Sequence, residues 1–114
     1  MAAVKEDYVR KGEIIRVIDG DTVEVRVELG CDIGITMKAR MAGINAPEVR
    51  SPAGKQSKAW LSHHLQPGLP VMIKTTKGDE KEKYGRYLVT VFDAAGKINY
   101  NEVSVADGFS VPYK

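Results

Sequence analysis

The chain has 114 residues, of which 43% are hydrophobic and 28% are charged, and its formal net charge at pH 7 is +2. This is ordinary globular composition, which excludes a disordered chain and a collagen-like one. The length suits one domain over residues 1–114 with a modest core. No apolar run approaches the roughly 18 residues that a membrane span needs. The single cysteine, Cys31, excludes an internal disulfide and a cysteine-based zinc site.

The first half of the chain alternates apolar and polar residues, a pattern that predicts strands. Residues 1–12 are polar and predict a short arm. They hold no signal-peptide core, so the location is left open: a cytoplasmic protein is expected unless the sequence has been trimmed. Strands are predicted at residues 14–18, 23–29 and 35–41, with turns at 19–21 and 30–34. Three such strands joined by short turns predict an antiparallel meander.

The second half adds helices to this pattern. Apolar residues recur at three- and four-residue spacing over residues 53–65, which predicts a helix that ends before Pro67 and Gly68. Two strands are predicted at 71–74 and 87–92, an exposed mobile loop at 77–86 and a short helix at 99–107. Five short strands, with a helix between the third and the fourth, form the pattern of an OB-fold barrel. This mostly β architecture commonly binds oligonucleotides or oligosaccharides.

Two turn segments carry oxygen-bearing side chains. Asp21 lies at a turn just before a strand, and Asn45 and Ala46 lie in the loop that follows another strand. In a meander these two segments can meet at one end of the sheet. Side-chain and backbone oxygens from both could then share a hard cation. The plain structural alternative is that Asp19, Gly20 and Asp21 only form a hairpin turn.

Three further residues suit phosphate chemistry. Arg40 and Arg86 each lie at a predicted strand border, and two guanidinium groups can clamp a phosphate and stabilise charge that grows on it. Glu48 could accept a proton from a water molecule beside the ion. Taken singly, Arg40 could equally be a solvated surface cation and Glu48 a turn residue. An ion, two arginines and a carboxylate base together make a phosphodiester hydrolysis site.

These segments together resemble the staphylococcal (micrococcal) nuclease, or thermonuclease-like, family. The resemblance runs from about residue 12 to residue 113, and residues 17–22 (Val-Ile-Asp-Gly-Asp-Thr) match the first family motif completely. The residues that match the other three motifs, in chain order, are Arg40, Ile44, Pro47 and Glu48; Lys83, Tyr84, Gly85 and Arg86; and Asn101 with Gly108.

The resemblance implies an OB-fold barrel with a calcium-dependent nuclease site that hydrolyses DNA and RNA by attack of water on phosphorus. It implies that Asp21 and the backbone carbonyl of Ala46 bind Ca2+ and that Glu48 is the general base. The remaining implied contacts are Arg40 and Arg86 to the scissile phosphate, and Lys83, Tyr84 and Tyr113 in the nucleotide pocket.

The sequence departs from the family pattern at two places. Asn45 stands where the family has a second calcium-binding aspartate; its amide oxygen can still be a ligand but brings no charge, so weak calcium binding is expected, with Asp19 as a partial compensation. The chain also ends at Lys114, without the family's final helix. A trimmed domain, a compact variant and self-association are the open explanations. The alternative function is an OB module that binds nucleic acid or protein without cutting.

Overall fold

A computed structural model describes residues 8–75 and 87–113. The segment predicted to be a loop at residues 77–86 lies outside these ranges. Lys83, Tyr84 and Arg86 belong to that segment, so their expected roles remain predictions.

Five strands form a closed barrel in the order β1-β2-β3-β6-β5. Every neighbouring pair is antiparallel except β3 and β6, which run parallel, and β5 closes the barrel on β1. This arrangement confirms the predicted mostly β barrel. The barrel strands are β1 (Tyr8–Asp19), β2 (Thr22–Gly30), β3 (Ile33–Met41), β5 (Pro70–Thr75) and β6 (Tyr87–Asp93).

The prediction of an arm at residues 1–12 is wrong for its last residues, because β1 begins at Tyr8. Residues Tyr8 to Glu13 pair with β5, and from Gly12 onward the same strand pairs with β2. A Cβ atom on Gly12 would lie 3.0 Å from the Arg26 carbonyl oxygen, so glycine suits the point where the strand changes partners. The segment shows no apolar alternation because its side chains from Val9 to Lys11 are exposed.

Two short strands that the sequence did not predict form a separate ribbon. They are β4 (Ile44–Asn45) and β7 (Val111–Pro112), which pair antiparallel. Two residues are too few to show a period-two pattern, so no alternation could reveal them. The ribbon returns the end of the described chain to the loop that follows β3.

Two helices flank the barrel, as predicted. α1 (Pro52–His64) begins at the N-cap Ser51, whose hydroxyl accepts a hydrogen bond from the Gly54 N–H at 2.9 Å. α2 (Tyr100–Ala106) begins at the N-cap Asn99. Within the described ranges, neither helix is long and apolar enough to cross a membrane.

The core lies inside the barrel and beneath α1. The predicted alternation of β2 is confirmed, since Val23, Val25 and Val27 point inward. On α1, Leu61 is fully buried, whereas His64 at the end of the helix is exposed. The other buried apolar residues are Ile14, Val17, Ala39, Met41, Ile44, Leu65, Val71, Ile73, Val89, Val91 and Tyr100.

Candidate active site

The turn between β1 and β2 fits tightly against α1. The Asp21 N–H donates a hydrogen bond to Asp19 Oδ1 at 3.1 Å, which closes the turn. Gly20 is buried at its centre, and a Cβ atom there would collide with Ser57 of α1 and crowd the methyl group of Ala46. Because the turn lies this close to α1, position 20 requires a glycine. The same packing brings Asp21 next to the loop after β3.

The Asp21 carboxylate is held by groups from three segments. Its Oδ2 accepts a hydrogen bond from the Ala46 N–H at 2.9 Å, and its Oδ1 accepts one from the Thr22 hydroxyl at 3.0 Å. The Arg40 Nη2 lies 3.6 Å from Oδ2, and only 13% of the Asp21 side chain is exposed. Asp21 is thus a nearly buried carboxylate beside a guanidinium.

The two carboxylates of this turn differ in their affinity for a proton. Burial alone would raise the pKa of Asp21, but hydrogen bonds with Asp19 and Ala46 and the charge of Arg40 hold it below its usual range. The pKa of Asp19 is raised, first by burial and then by its hydrogen bond to Asp21. Asp21 therefore keeps its negative charge, and Asp19 is the one that more readily takes a proton.

Arg40 is fixed by four oxygen atoms. Its Nη1 donates to the backbone carbonyls of Met41 at 3.0 Å and Ile44 at 2.9 Å, and its Nη2 donates to Asn45 Oδ1 at 3.1 Å. Together with the Asp21 carboxylate, these oxygens fix the plane of the guanidinium, and the Arg40 side chain is only 11% exposed. A pre-oriented planar fork of this kind suits bidentate contact with a phosphate.

The β4–β7 ribbon brings Tyr113 to the same place. The Tyr113 N–H donates to the Gly43 carbonyl at 2.8 Å, and the Arg40 Cζ lies 5.4 Å from the centre of the Tyr113 ring. This is cation–π geometry. The tyrosine side chain is 57% exposed, so its ring shields one face of the guanidinium and still faces solvent.

Glu48 is placed differently from the other predicted site residues. Its carbonyl accepts hydrogen bonds from the Ser51 N–H at 3.0 Å and the Ser51 hydroxyl at 2.7 Å, and Gly54 packs closely against that carbonyl. The side chain itself is exposed. Across residues 8–75 and 87–113, no hydrogen bond or ion pair joins the Glu48 carboxylate to Asp21 or Arg40.

Several known proteins are similar to this chain over most of its length. No protein-family model matches it. It is 33% identical over 104 residues to the thermonuclease of Staphylococcus hyicus, an alignment that covers 86% of this chain and 56% of that protein. The chain belongs to the thermonuclease-like family.

Two other relatives extend the comparison. An uncharacterized protein of Methanocaldococcus jannaschii is 26% identical over 126 residues, which are 90% of this chain and 58% of that protein. An uncharacterized endonuclease of Escherichia coli is 28% identical over 103 residues, which are 90% of this chain and 61% of that protein. The chain spans between 46% and 58% of the length of the first relatives it matches.

The thermonuclease-like barrel brings most of the predicted site residues together. The group that converges in the described ranges consists of Asp21, Arg40, Asn45, Ala46 and Tyr113. Two details differ from the expected metal site. Ala46 presents its N–H to Asp21, and the Asn45 amide oxygen accepts from Arg40. No cluster of three His, Cys, Asp or Glu side chains able to hold a metal ion occurs among the described residues.

Asn101 supports the site, although the sequence assigned it no role beyond a motif match. Its Nδ2 donates to the Ala42 carbonyl at 2.8 Å and the Val89 carbonyl at 3.1 Å, and its Oδ1 accepts from the Val91 N–H at 3.1 Å. The residue is 4% exposed and ties α2 to β6 and to the loop after β3. The motif match at Asn101 was the available signal for this clamp.

Proposed function

We propose that this chain carries the active site of a divalent-cation-dependent nuclease, with calcium as the preferred ion, that hydrolyses phosphodiester bonds of DNA and RNA. The pairing of a rigidly held Arg40 with the nearly buried Asp21 carboxylate, 3.6 Å apart, is the observation that carries the proposal. Such a pair sets a fixed phosphate-binding cation beside a carboxylate that favours a metal ion. The nuclease names of several relatives support the same class of reaction.

Arg40 and Arg86 would bind the phosphate that is attacked. Three of the five N–H donors of Arg40 are used by Met41, Ile44 and Asn45, and Nη2 also lies 3.6 Å from Asp21 Oδ2. The Nε–H and the second Nη2 N–H are therefore the donors that would turn to the substrate. Because the surrounding oxygens already fix its plane, the guanidinium can contact two phosphate oxygens with little further loss of side-chain conformational entropy. Charge that develops on those oxygens in the transition state would be stabilised by donors already in position.

Glu48 would act as the general base, and its exposure gives its carboxylate access to water. It would accept a proton from the attacking water as the new bond to phosphorus forms and the bond to the departing oxygen breaks. Its hydrogen-bonded carbonyl anchors the residue to the start of α1. Tyr113, together with Lys83 and Tyr84, would contact the nucleotide around the cleaved bond.

The donor chemistry of the site fits calcium. Carboxylate, amide and carbonyl oxygens are the ligands that a hard cation takes, and Asp21, Asn45 and Ala46 offer one of each. Asp19 adds a second carboxylate within the same turn. A divalent cation, when bound, supplies positive charge that stabilises phosphate oxygens and makes a neighbouring water more acidic. The low count of formal charges in this donor set predicts weak affinity.

Purified protein incubated with plasmid DNA, single-stranded DNA and RNA tests the proposal. Cleavage is expected with millimolar calcium, and excess chelator should abolish it. Magnesium should support less cleavage, because it demands tight octahedral geometry and releases its water reluctantly. Undiminished cleavage in excess chelator would exclude the ion, and the absence of cleavage at any calcium concentration would exclude the nuclease.

A second candidate function is a module that binds nucleic acid or protein without cutting. The observation that favours it is the hydrogen bond from Arg40 to the Asn45 amide oxygen, since that bond engages a proposed ligand atom with the phosphate-binding arginine. Tight oligonucleotide binding with no cleavage in the same assay would identify this function.

A further inference from the structure

The longest stretch of the chain without acidic residues begins just before α1. Residues 49–75 contain no aspartate or glutamate but include the cations Arg50, Lys55 and Lys58 around the start of α1. With 15 acidic residues elsewhere in the chain, this stretch stands apart in charge. The first turn of α1 also lacks an acidic residue, so the partial positive charge of its N-terminus adds to that of the side chains.

This part of α1 borders the candidate active site. Ser57 packs against Gly20 of the β1–β2 turn, and Gly54 packs against the Glu48 carbonyl. Lys55 and Lys58 lie three residues apart on the helix and are therefore neighbours on its surface. Arg50 directly precedes the N-cap Ser51. The segment that carries the three cations thus borders the place where the proposed reaction would occur.

These cations are available to a partner. Arg50 and Lys55 are exposed, and Lys58 is half-buried. In the described parts of the chain, none of the three forms an ion pair, in contrast to Arg16 with Glu24 and Arg40 with Asp21. Cations that no carboxylate neutralises raise the local concentration of anions around them.

We propose that Arg50, Lys55 and Lys58, together the α1 cationic face, bind phosphates of a polynucleotide strand beyond the bond that is cut. This inference rests on the proposed nuclease function and adds to it contacts with phosphates beyond the cleaved bond. Several phosphates along the strand would then contact the protein. Affinity should fall with salt, because each contact releases counterions from the nucleic acid.

The test is the salt dependence of binding to a labelled single-stranded DNA oligonucleotide, measured by fluorescence anisotropy in chelator so that no cleavage occurs. The double variant Lys55→Gln/Lys58→Gln should lower the slope of log affinity against log salt by about 1.4, since each phosphate contact to a single strand contributes roughly 0.7. It should also lower the ratio of oligonucleotide cleavage to dinucleotide cleavage. Arg50→Gln should lower the slope by about half as much.

A matched control removes the same charge elsewhere. Lys11 lies about 26 Å along β1 from Asp19, at 3.3 Å per residue, and Lys97 lies in the turn after β6. Lys11→Gln/Lys97→Gln should leave the slope and the cleavage ratio unchanged. Circular dichroism would verify that both double variants fold.

Equal slopes for the two double variants would overturn the inference and leave the nuclease proposal standing. If only the Lys55→Gln/Lys58→Gln variant has a smaller salt slope, and the parent protein cleaves no substrate, the result would support the α1 cationic face and reject the nuclease proposal. Polyglutamate that competes with the oligonucleotide at equal charge concentration would also overturn the inference, since the face would then select anions in general.

Discussion

The two ends of the barrel differ in how far their side chains are buried and in how many contacts hold them. At one end, Asp21 and Arg40 are nearly buried and are held by backbone and side-chain groups from several segments. At the other end, the β2–β3 hairpin exposes apolar side chains and turns through two non-glycine residues with positive φ, Cys31 and Asp32. We therefore expect substitutions near Asp21 and Arg40 to change activity, and substitutions in the β2–β3 hairpin to change the free energy of unfolding.

Glu48→Gln should break the chemistry with the least disturbance to the fold. The change removes proton acceptance, which contributes about 10² to 10⁴ in rate, while the exposed side chain contributes little to stability. Calcium-dependent cleavage should fall by that factor with nucleotide binding largely kept. A cleavage time course, oligonucleotide binding and thermal unfolding measure the three quantities. Glu28→Gln, on the exposed face of β2, is the control, and wild-type turnover of Glu48→Gln would refute the general base.

Arg40→Lys should reduce turnover by about 10² or more, because lysine keeps the charge but loses the planar fork that holds two phosphate oxygens. The same change at Arg86 should have a similar effect. Stability should change much less than activity. Arg16→Lys, which alters an exposed ion pair with Glu24, should leave turnover intact. If Arg40→Lys and Arg86→Lys cut DNA at the wild-type rate, the phosphate-clamp role is wrong.

Asn45→Asp should strengthen ion binding, because it adds a negative charge at the end of the barrel that holds Asp21 and Arg40. A second carboxylate near the ion should tighten calcium binding by about tenfold, equivalent to about 1.4 kcal/mol, and raise cleavage at low calcium. Calcium titration calorimetry reads the affinity independently of activity. Gln66→Glu adds the same charge beyond the end of α1 and should not change calcium affinity. An unchanged affinity in Asn45→Asp would show that Asn45 does not touch the ion.

Asp32→Gly should affect only the opposite end. Cys31 and Asp32 have φ values of 54° and 62°, as a two-residue type I′ hairpin requires, and glycine adopts such values without the cost that a Cβ imposes. The free energy of unfolding should rise by about 0.5–1 kcal/mol, because relief of strain exceeds the added freedom of the unfolded chain. Denaturant titration measures it, with Asp32→Ala expected to be less stable than the parent. Any change in turnover would contradict the separation of the two ends.

The sequence predicted the barrel because its strands are long enough to show alternation, as β2 does from Val23 to Val27. It missed the start of β1, whose exposed residues carry no pattern, and the ribbon of β4 and β7, whose two-residue strands are too short. Motif matches identified Asp21 and Arg40. They could not reveal that Asn45 bonds to Arg40 or that Tyr113 covers it, since these contacts depend on how the ribbon folds back.

The pairing of β1 with β5 also governs the order in which the molecule can form. Asp21, in the turn between β1 and β2, and Arg40, on β3, belong to consecutive hairpins, so their mutual contacts are local in the chain. Closure, in contrast, joins Tyr8 to Thr75 and requires most of the chain to be present. Because long-range pairing is the slow part of folding, we expect the meander of β1, β2 and β3 to form first on a growing polypeptide. Its apolar face then stays exposed until β5 and β6 have been made and can pair with it.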